Sequence, residues 1–147
     1  MQPSNLTIIQ EFEGFRSKPY KDTGNLYTIG YGTIKYPNGV PVAPDDKAIT
    51  EEQAVEYLRS DLTKFVNDLN KLVKVPVTQN QFDALCSLIY NIGTTNFSTS
   101  TLLRKLNIGD FIGASNEFPK WCKVKGKFSQ GLLNRRLKEQ RIFNETH

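Results

Sequence analysis

The chain has 147 residues, with 19 Lys+Arg against 15 Asp+Glu and a formal net charge of +4. A fold of this size buries about 68–70% of its unfolded surface, so one compact domain stands without a metal or disulfide staple. With 38% apolar and 23% charged residues, and no apolar run near the ~18 of a membrane span, collagen, coiled coil, membrane protein and disordered chain are excluded.

Apolar residues at Leu6, Ile8, Ile9, Phe12 and Phe15 recur at three and four. They predict a short helix from Asn5 to Phe15, capped by Ser4 or Asn5 and stopped by Gly14 and Pro19. Tyr20 opens an extended piece, Asp22-Thr23-Gly24-Asn25 is turn material, and Leu26-Tyr27-Thr28-Ile29 is aromatic and β-branched. That pattern predicts a hairpin, followed by a turn at Tyr36-Pro37-Asn38-Gly39 and a short third strand near Val40–Val42. Thr50 with Gln53 forms a capping box. Beyond it Ala54, Leu58, Leu62, Phe65, Leu69 and Leu72 define a helix of about 22 residues, or about 33 Å. Such length suits a spine between two lobes.

The remainder reads as helical. Thr78 caps a helix with an apolar face of Phe82, Leu85, Cys86 and Ile89, ended by Gly93. Ser100 caps Thr101 to Leu106, and Asp110 caps a helix to about Phe118. Gly126 and Gly131 break the chain after Trp121, and a last helix carries Leu133, Leu137, Arg141 and Phe143. The fold class is α+β with helix dominant: a small hairpin lobe over about 15–50, a connecting helix over about 51–72, and a helical lobe over about 73–147 together with the N-terminal helix. A cleft between lobes is the default ligand site.

Cys86 and Cys122 stand alone and His147 is the single histidine. A zinc site or a nucleophile paired with His therefore lacks its parts. Cys86 fits an inert buried thiol. Among the acidic residues, Glu51 and Glu52 read as first-turn helix charges, and Glu56, Asp61 and Asp68 as the exposed face of the long helix. Glu13 and Asp22 stand apart. Glu13 lies between Phe12 and Gly14-Phe15, where partial burial is expected, and burial favours the neutral form of a carboxyl. Asp22 lies in an open polar turn that favours the ion. Two carboxyls in such contrasting settings are what acid-assisted glycoside cleavage requires. Glu11, the competitor for Glu13, faces nearly the opposite way on the helix.

Glu13-Gly14-Phe15-Arg16, Tyr20-Lys21-Asp22-Thr23-Gly24 and Tyr27-Thr28-Ile29-Gly30-Tyr31-Gly32 together resemble the catalytic segment of phage lysozymes of the T4 lysozyme type, glycoside hydrolase family 24. The family pattern is Glu, eight residues, Asp or Cys, five residues, Thr, and Glu13, Asp22 and Thr28 keep both gaps. Gln81–Ser87, Tyr90-Asn91-Ile92-Gly93, Ser100–Arg104, Asn107–Asp110, Trp121, Gly126, Gly131-Leu132 and Arg135-Arg136 extend the likeness over nearly the whole chain. It is nearest to endolysins of lambdoid, P22-like phages. Thr33 departs from it, standing where many members carry His, which puts a stabilising contact in doubt and not the reaction.

The resemblance implies a lysozyme-like two-lobed fold and a muramidase. Its substrate is peptidoglycan, cut at the β-1,4 bond between N-acetylmuramic acid and N-acetylglucosamine. Glu13 is then the general acid, with Asp22 and Thr28 positioning water for an inverting reaction. Tyr90 and Asn91 match positions lining the saccharide cleft, and Arg135 matches an arginine facing the catalytic Glu. No cofactor, metal, specific nucleic acid or membrane anchor is expected. The N-terminus shows no signal-peptide pattern; the resemblance then implies accumulation in the host cytoplasm until release to the cell wall, and a monomer is expected. The alternative is a nucleic-acid binder built on Lys120, Lys123, Lys125 and Lys127 around Trp121, with Arg135-Arg136. An anionic cell wall accounts for the same charge.

Overall fold

The computed structural model describes residues 1–22 and 24–145; Thr23 of the expected turn and the lone His147 lie outside them. The chain divides into two compact units, a hairpin unit of Thr7–Thr63 and a helical unit of Met1–Leu6 with Lys64–His147. The first helix falls with the hairpin in this division, and the long helix begins in one unit and ends in the other.

In the hairpin unit, α1 spans Thr7–Glu13, shorter than expected at both ends. Ser4 does not cap it, because its N–H and hydroxyl both go to Asp83, at 2.8 and 2.6 Å. Gly14 closes it, with its N–H still bonded to the Gln10 carbonyl at 3.0 Å. Strand β1 (Arg16–Lys21) starts earlier than Tyr20 and runs through Pro19, a breaker by sequence pattern alone. The pairing with β2 (Tyr27–Gly30) is antiparallel and irregular between Arg16 and Tyr20. A bulged edge tolerates the missing proline N–H.

Gly30 ends β2 at φ +66, and a Cβ there would come within 3.1 Å of the Ala54 methyl. Only glycine lets β2 lie this close to the long helix α2 (Glu51–Leu72). Thr50 and Gln53 form the expected box, with Thr50 N–H to Gln53 Oε1 at 3.0 Å and Gln53 N–H to Thr50 Oγ1 at 3.1 Å. Ala54, Leu58, Leu62, Val66 and Leu69 make the buried stripe of α2. The expected third strand reduces to an isolated bridge of Lys35 with Pro41. Pro41 has no N–H to extend a ladder, and Val40 is exposed.

The helical unit begins with the end of α2. Next comes α3 (Gln79–Ile92), with a complete Thr78–Gln81 capping box. Gly93 ends α3 and starts a short helix that the sequence pattern does not predict, α4 (Thr94–Ser98). Helix α5 (Thr101–Asn107) is capped by Ser100, and α6 (Phe111–Glu117) by Asp110. A 3-10 turn over Phe118–Lys120 replaces the last residue expected of α6. Strands β3 (Lys123–Val124) and β4 (Lys127–Phe128) form a two-stranded ribbon where the glycines predict only a break. Its turn uses Lys125 at φ 50 and Gly126 at φ 79, two successive left-handed residues that match the strands' twist. Gly131 breaks nothing and sits in the first turn of α7 (Gln130–Asn144), capped by Ser129. Helices α3 and α7 pack together, as do α5 and α6. Leu85, Leu88, Ile89, Phe97, Leu102, Leu106, Phe118 and Phe143 are buried. Cys86 is a buried free thiol, which burial, then the Asp83 charge, pushes up.

Two residues of the supposed exposed face of α2 are not exposed. Asp61 and Asp68 are half-buried and accept hydroxyl protons from Thr33 and Thr94, each at 2.7 Å. Thr33 is itself buried, so the residue that departs from the family pattern makes a stabilising contact of its own. Burial pushes the Asp61 carboxyl up, and the Thr33 hydroxyl opposes that. A carboxyl raised on folding binds its proton more tightly in the folded state. Its stabilising share is complete below the ordinary carboxylate range and is lost as pH rises through the raised value. The difference in urea midpoint between the wild type and Asp61→Asn, measured across that window, should shift against the wild type as pH rises. Identical slopes in the two proteins would contradict this.

Candidate active site

The β1–β2 turn is organised by the carboxylate of Asp22. Its Oδ1 accepts the backbone N–H of Gly24 at 2.8 Å and of Leu26 at 3.0 Å. The Asp22 backbone closes the same turn, donating to the Leu26 carbonyl at 3.0 Å and accepting from Asn25 N–H at 3.1 Å. An aspartate holding its own following backbone is a self-bonded turn, which explains why this residue type stands at this position. The second oxygen, Oδ2, lies 3.4 Å from the Thr28 hydroxyl, which is also 3.1 Å from the Leu26 carbonyl. One hydroxyl proton serves one of these acceptors at a time. Thr28 is buried on β2 and Asp22 is half-buried.

Glu13 is the last residue of α1. It stands beside Gly14, the break on which its choice over Glu11 rests, and is half-buried where Glu11 is exposed. Tyr20 connects the two carboxylates. Burial pushes its phenol up, the nearby Arg16 pulls it down, and the charges of Glu13 and then Asp22 push it up again. The Arg16 guanidinium lies over the Tyr20 ring at 4.7 Å. In the sequence Tyr20 is part of a motif and has no role of its own. The available signal is its spacing of two from Asp22, which puts both on one side of an extended segment. Glu13, Tyr20 and Asp22 with Thr28 thus form one electrostatic neighbourhood within the hairpin unit. It holds a carboxyl on a helix end, a carboxylate pinned in a turn and a hydroxyl beside the latter.

The other expected site residues belong to the helical unit. Tyr90 is half-buried near the end of α3, edge-to-face with Phe65 at 5.6 Å. Asn91 is exposed. With Asn96, Trp121, Lys123 and Arg136, it lines a groove of about 340 Å³. Of the lysines expected around Trp121, Lys120 pairs with the buried Glu117 at 2.6 Å, an anion it shares with Lys105 of α5 at 3.4 Å.

Arg135 lies in a buried ionic cluster that the sequence reading does not anticipate. Its Nη2 donates to the Ser87 carbonyl at 3.2 Å, and its Nε lies 3.4 Å from Glu139 Oε2. Arg136 Nε meets Glu139 Oε1 at 2.7 Å, and its Nη2 reaches Oε2 at 3.1 Å. The Ser87 hydroxyl donates to the same Oε2. Burial pushes the Glu139 carboxyl up, while Arg136 and then Arg135 pull it down. The available signal is the spacing of three and four between these arginines and Glu139 on one helix. Among the described residues, no group of three or more His, Cys, Asp or Glu side chains is placed to hold a metal ion. No helix among them is long and apolar enough to cross a membrane.

Residues 10–139 match the family model described as phage lysozyme. An endolysin of Acyrthosiphon pisum secondary endosymbiont phage 1 is 47% identical over 142 residues, covering 94% of this chain and 93% of that protein. An endolysin of Bacillus phage PZA is 48% identical over 96% of this chain, which spans about half (54%) of the length of that relative. Among solved structures, the endolysin from Escherichia coli O157:H7 phage FAHEc1 superposes with a TM-score of 0.91 at 44% identity, covering 99% of this chain and 94% of that one. The muramidase domain of SpmX from Asticaccaulis excentricus superposes at 0.84 with 33% identity, covering 96% and 95%.

The buried cluster generates a stability prediction. Glu139→Ala leaves two buried guanidinium groups without their shared anion, and removing one partner of a buried pair costs about 3–5 kcal/mol. Equilibrium urea unfolding should show a loss of that size. A loss below about 1 kcal/mol, the size typical of an exposed pair, would contradict the pairing.

Proposed function

The chain belongs to the phage lysozyme family and is a glycoside hydrolase, and on that premise we propose that it is a muramidase with Glu13 as its general acid. The family acts on peptidoglycan. The bond cut is the β-1,4 link between N-acetylmuramic acid and N-acetylglucosamine.

The observation that carries the assignment of roles is the state of Asp22. Two backbone N–H groups pin its Oδ1, so the carboxylate is not free to swing onto a sugar carbon. Its other oxygen sits beside the Thr28 hydroxyl. A fixed carboxylate oxygen with an adjacent hydroxyl suits holding and deprotonating a water, the role of the base in an inverting glycosidase. Glu13 protonates the leaving oxygen. It stands at a helix end where the chain turns away at Gly14, half-buried and within the electrostatic reach of Tyr20. Tyr90 and Asn91 bind saccharide, and Arg135 is a supporting residue.

The finer parts of this reading are action as a monomer without a metal, and accumulation in the host cytoplasm before release to the cell wall. They rest on the family likeness.

Glu13→Gln keeps the shape and cannot give up a proton. It should lower clearing of purified sacculi by at least the ~10²–10⁴ that general acid catalysis contributes, with circular dichroism unchanged. Glu11→Gln should clear at nearly the wild-type rate, and EDTA should inhibit neither the wild type nor this variant. A dead Glu11→Gln beside an active Glu13→Gln would reverse the assignment, and loss of clearing in EDTA would remove the metal-free mechanism.

A further inference from the structure

The hairpin unit carries a groove that none of Glu13, Asp22 or Thr28 lines. Tyr36, Asn38, Asp46, Lys47, Gln53 and Tyr57 border a cavity of about 600 Å³, inside the ~300–1,000 Å³ of small-ligand sites. Tyr36 and Tyr57 pack edge-to-face, with centroids 5.4 Å apart and planes at 68°. The Tyr36 hydroxyl donates to Asp46 Oδ2 at 2.7 Å, and Ala43 N–H donates to the same oxygen at 2.8 Å. Ring and carboxylate are therefore fixed before anything binds. Burial, then the bond to Asp46, push the Tyr36 phenol up to about 12. The Ala43 N–H and the Tyr36 hydroxyl hold the Asp46 carboxyl below its ordinary range.

The polar groups left over are complementary to a particular chemistry. Asn38 commits its side-chain oxygen to Val40 N–H at 2.9 Å, and Gln53 commits its own to Thr50 N–H at 3.0 Å. Each amide is left with its NH2 as a donor. Asp46 Oδ1 has no hydrogen-bond partner among the described residues and remains an acceptor. Lys47 adds a cation. A phosphate would be repelled by Asp46, and an apolar segment would leave these donors and the acceptor unpaired. A sugar carries hydroxyls that both give and accept, with C–H faces that suit aromatic rings. An acetamido group adds one N–H and one carbonyl.

We propose that this groove binds a stretch of N-acetylhexosamine chain, holding glycan to the enzyme apart from the bond being cut. The proposal rests on the muramidase reading for the identity of the polymer. The groove then raises the time the enzyme stays on an extended wall polymer and does not alter the chemical step.

Chitotetraose titrated into isotope-labelled protein tests it by amide NMR shifts. Saturable shifts are expected at Asn38, Lys47, Gln53 and Tyr57, beside a separate set around Glu13, Asp22 and Thr28. Gln53→Glu keeps the helix-cap oxygen, removes the NH2 donor and adds a charge facing Asp46, so it should erase the groove set alone. On sacculi the same variant should keep kcat and raise KM about five-fold, the size of one lost hydrogen bond. Groove amides that do not move, or a Gln53→Glu enzyme with wild-type KM, overturn the proposal while leaving the muramidase reading intact. Groove shifts in a wild-type protein that leaves sacculi uncut support the groove and overturn that reading instead.

Discussion

Asp22 builds its own turn, and most of the candidate chemistry depends on that. Its Oδ1 collects the N–H groups of Gly24 and Leu26, which closes the chain between β1 and β2. Closure sets the register that puts Tyr20 opposite Thr28. The same closure leaves Oδ2 facing the Thr28 hydroxyl. Asparagine would keep an oxygen for the two N–H groups and close the same turn, but it would lose the carboxylate that faces Thr28. Structure and chemistry are thus assigned to different oxygens of one side chain. The gap of five residues between Asp22 and Thr28 is the length of this turn plus one strand position.

The second constraint is the handling of buried charge. Glu139 is shared by Arg135, Arg136 and the Ser87 hydroxyl, Glu117 by Lys105 and Lys120, and Asp83 by Ser4 and Gln79. Each of these buried carboxylates of the helical unit has at least two donors, as burial of an ion demands. The contacts tie α7 to α3, the 3-10 turn to α5, and the N-terminal residues to α3. Ionic groups therefore fix how helices of this unit meet, while Leu85, Leu88 and Phe97 supply the apolar area.

What is legible in the sequence is local. Thr50 with Gln53, Thr78 with Gln81, Ser100 and Asp110 announce helix starts because each cap bonds within three residues of itself. The Glu13–Asp22–Thr28 spacing is legible through the family pattern, and the half-burial of Glu13 against exposed Glu11 through the neighbouring phenylalanines. What escapes it is mostly nonlocal. Asp61 and Asp68 read as solvent-facing on a helical wheel, and their partners lie 28 and 26 residues away in the chain. The β3–β4 ribbon has two residues per strand, too few for a period to show, and Gly126 registers as a break when it is the ribbon's turn. Glu139 is within reach, since its spacing from Arg135 and Arg136 is helical. Nothing in composition marks that trio as buried.

The most direct measurement of the central claim is the anomeric configuration of the sugar released in the first turnover, read by proton NMR before mutarotation. A pinned Asp22 that activates water, with Glu13 as acid, predicts that the β-linked substrate yields the α-anomer. Release of the β-anomer would show a double displacement with retention, and would contradict the water-activating role of Asp22 and Thr28.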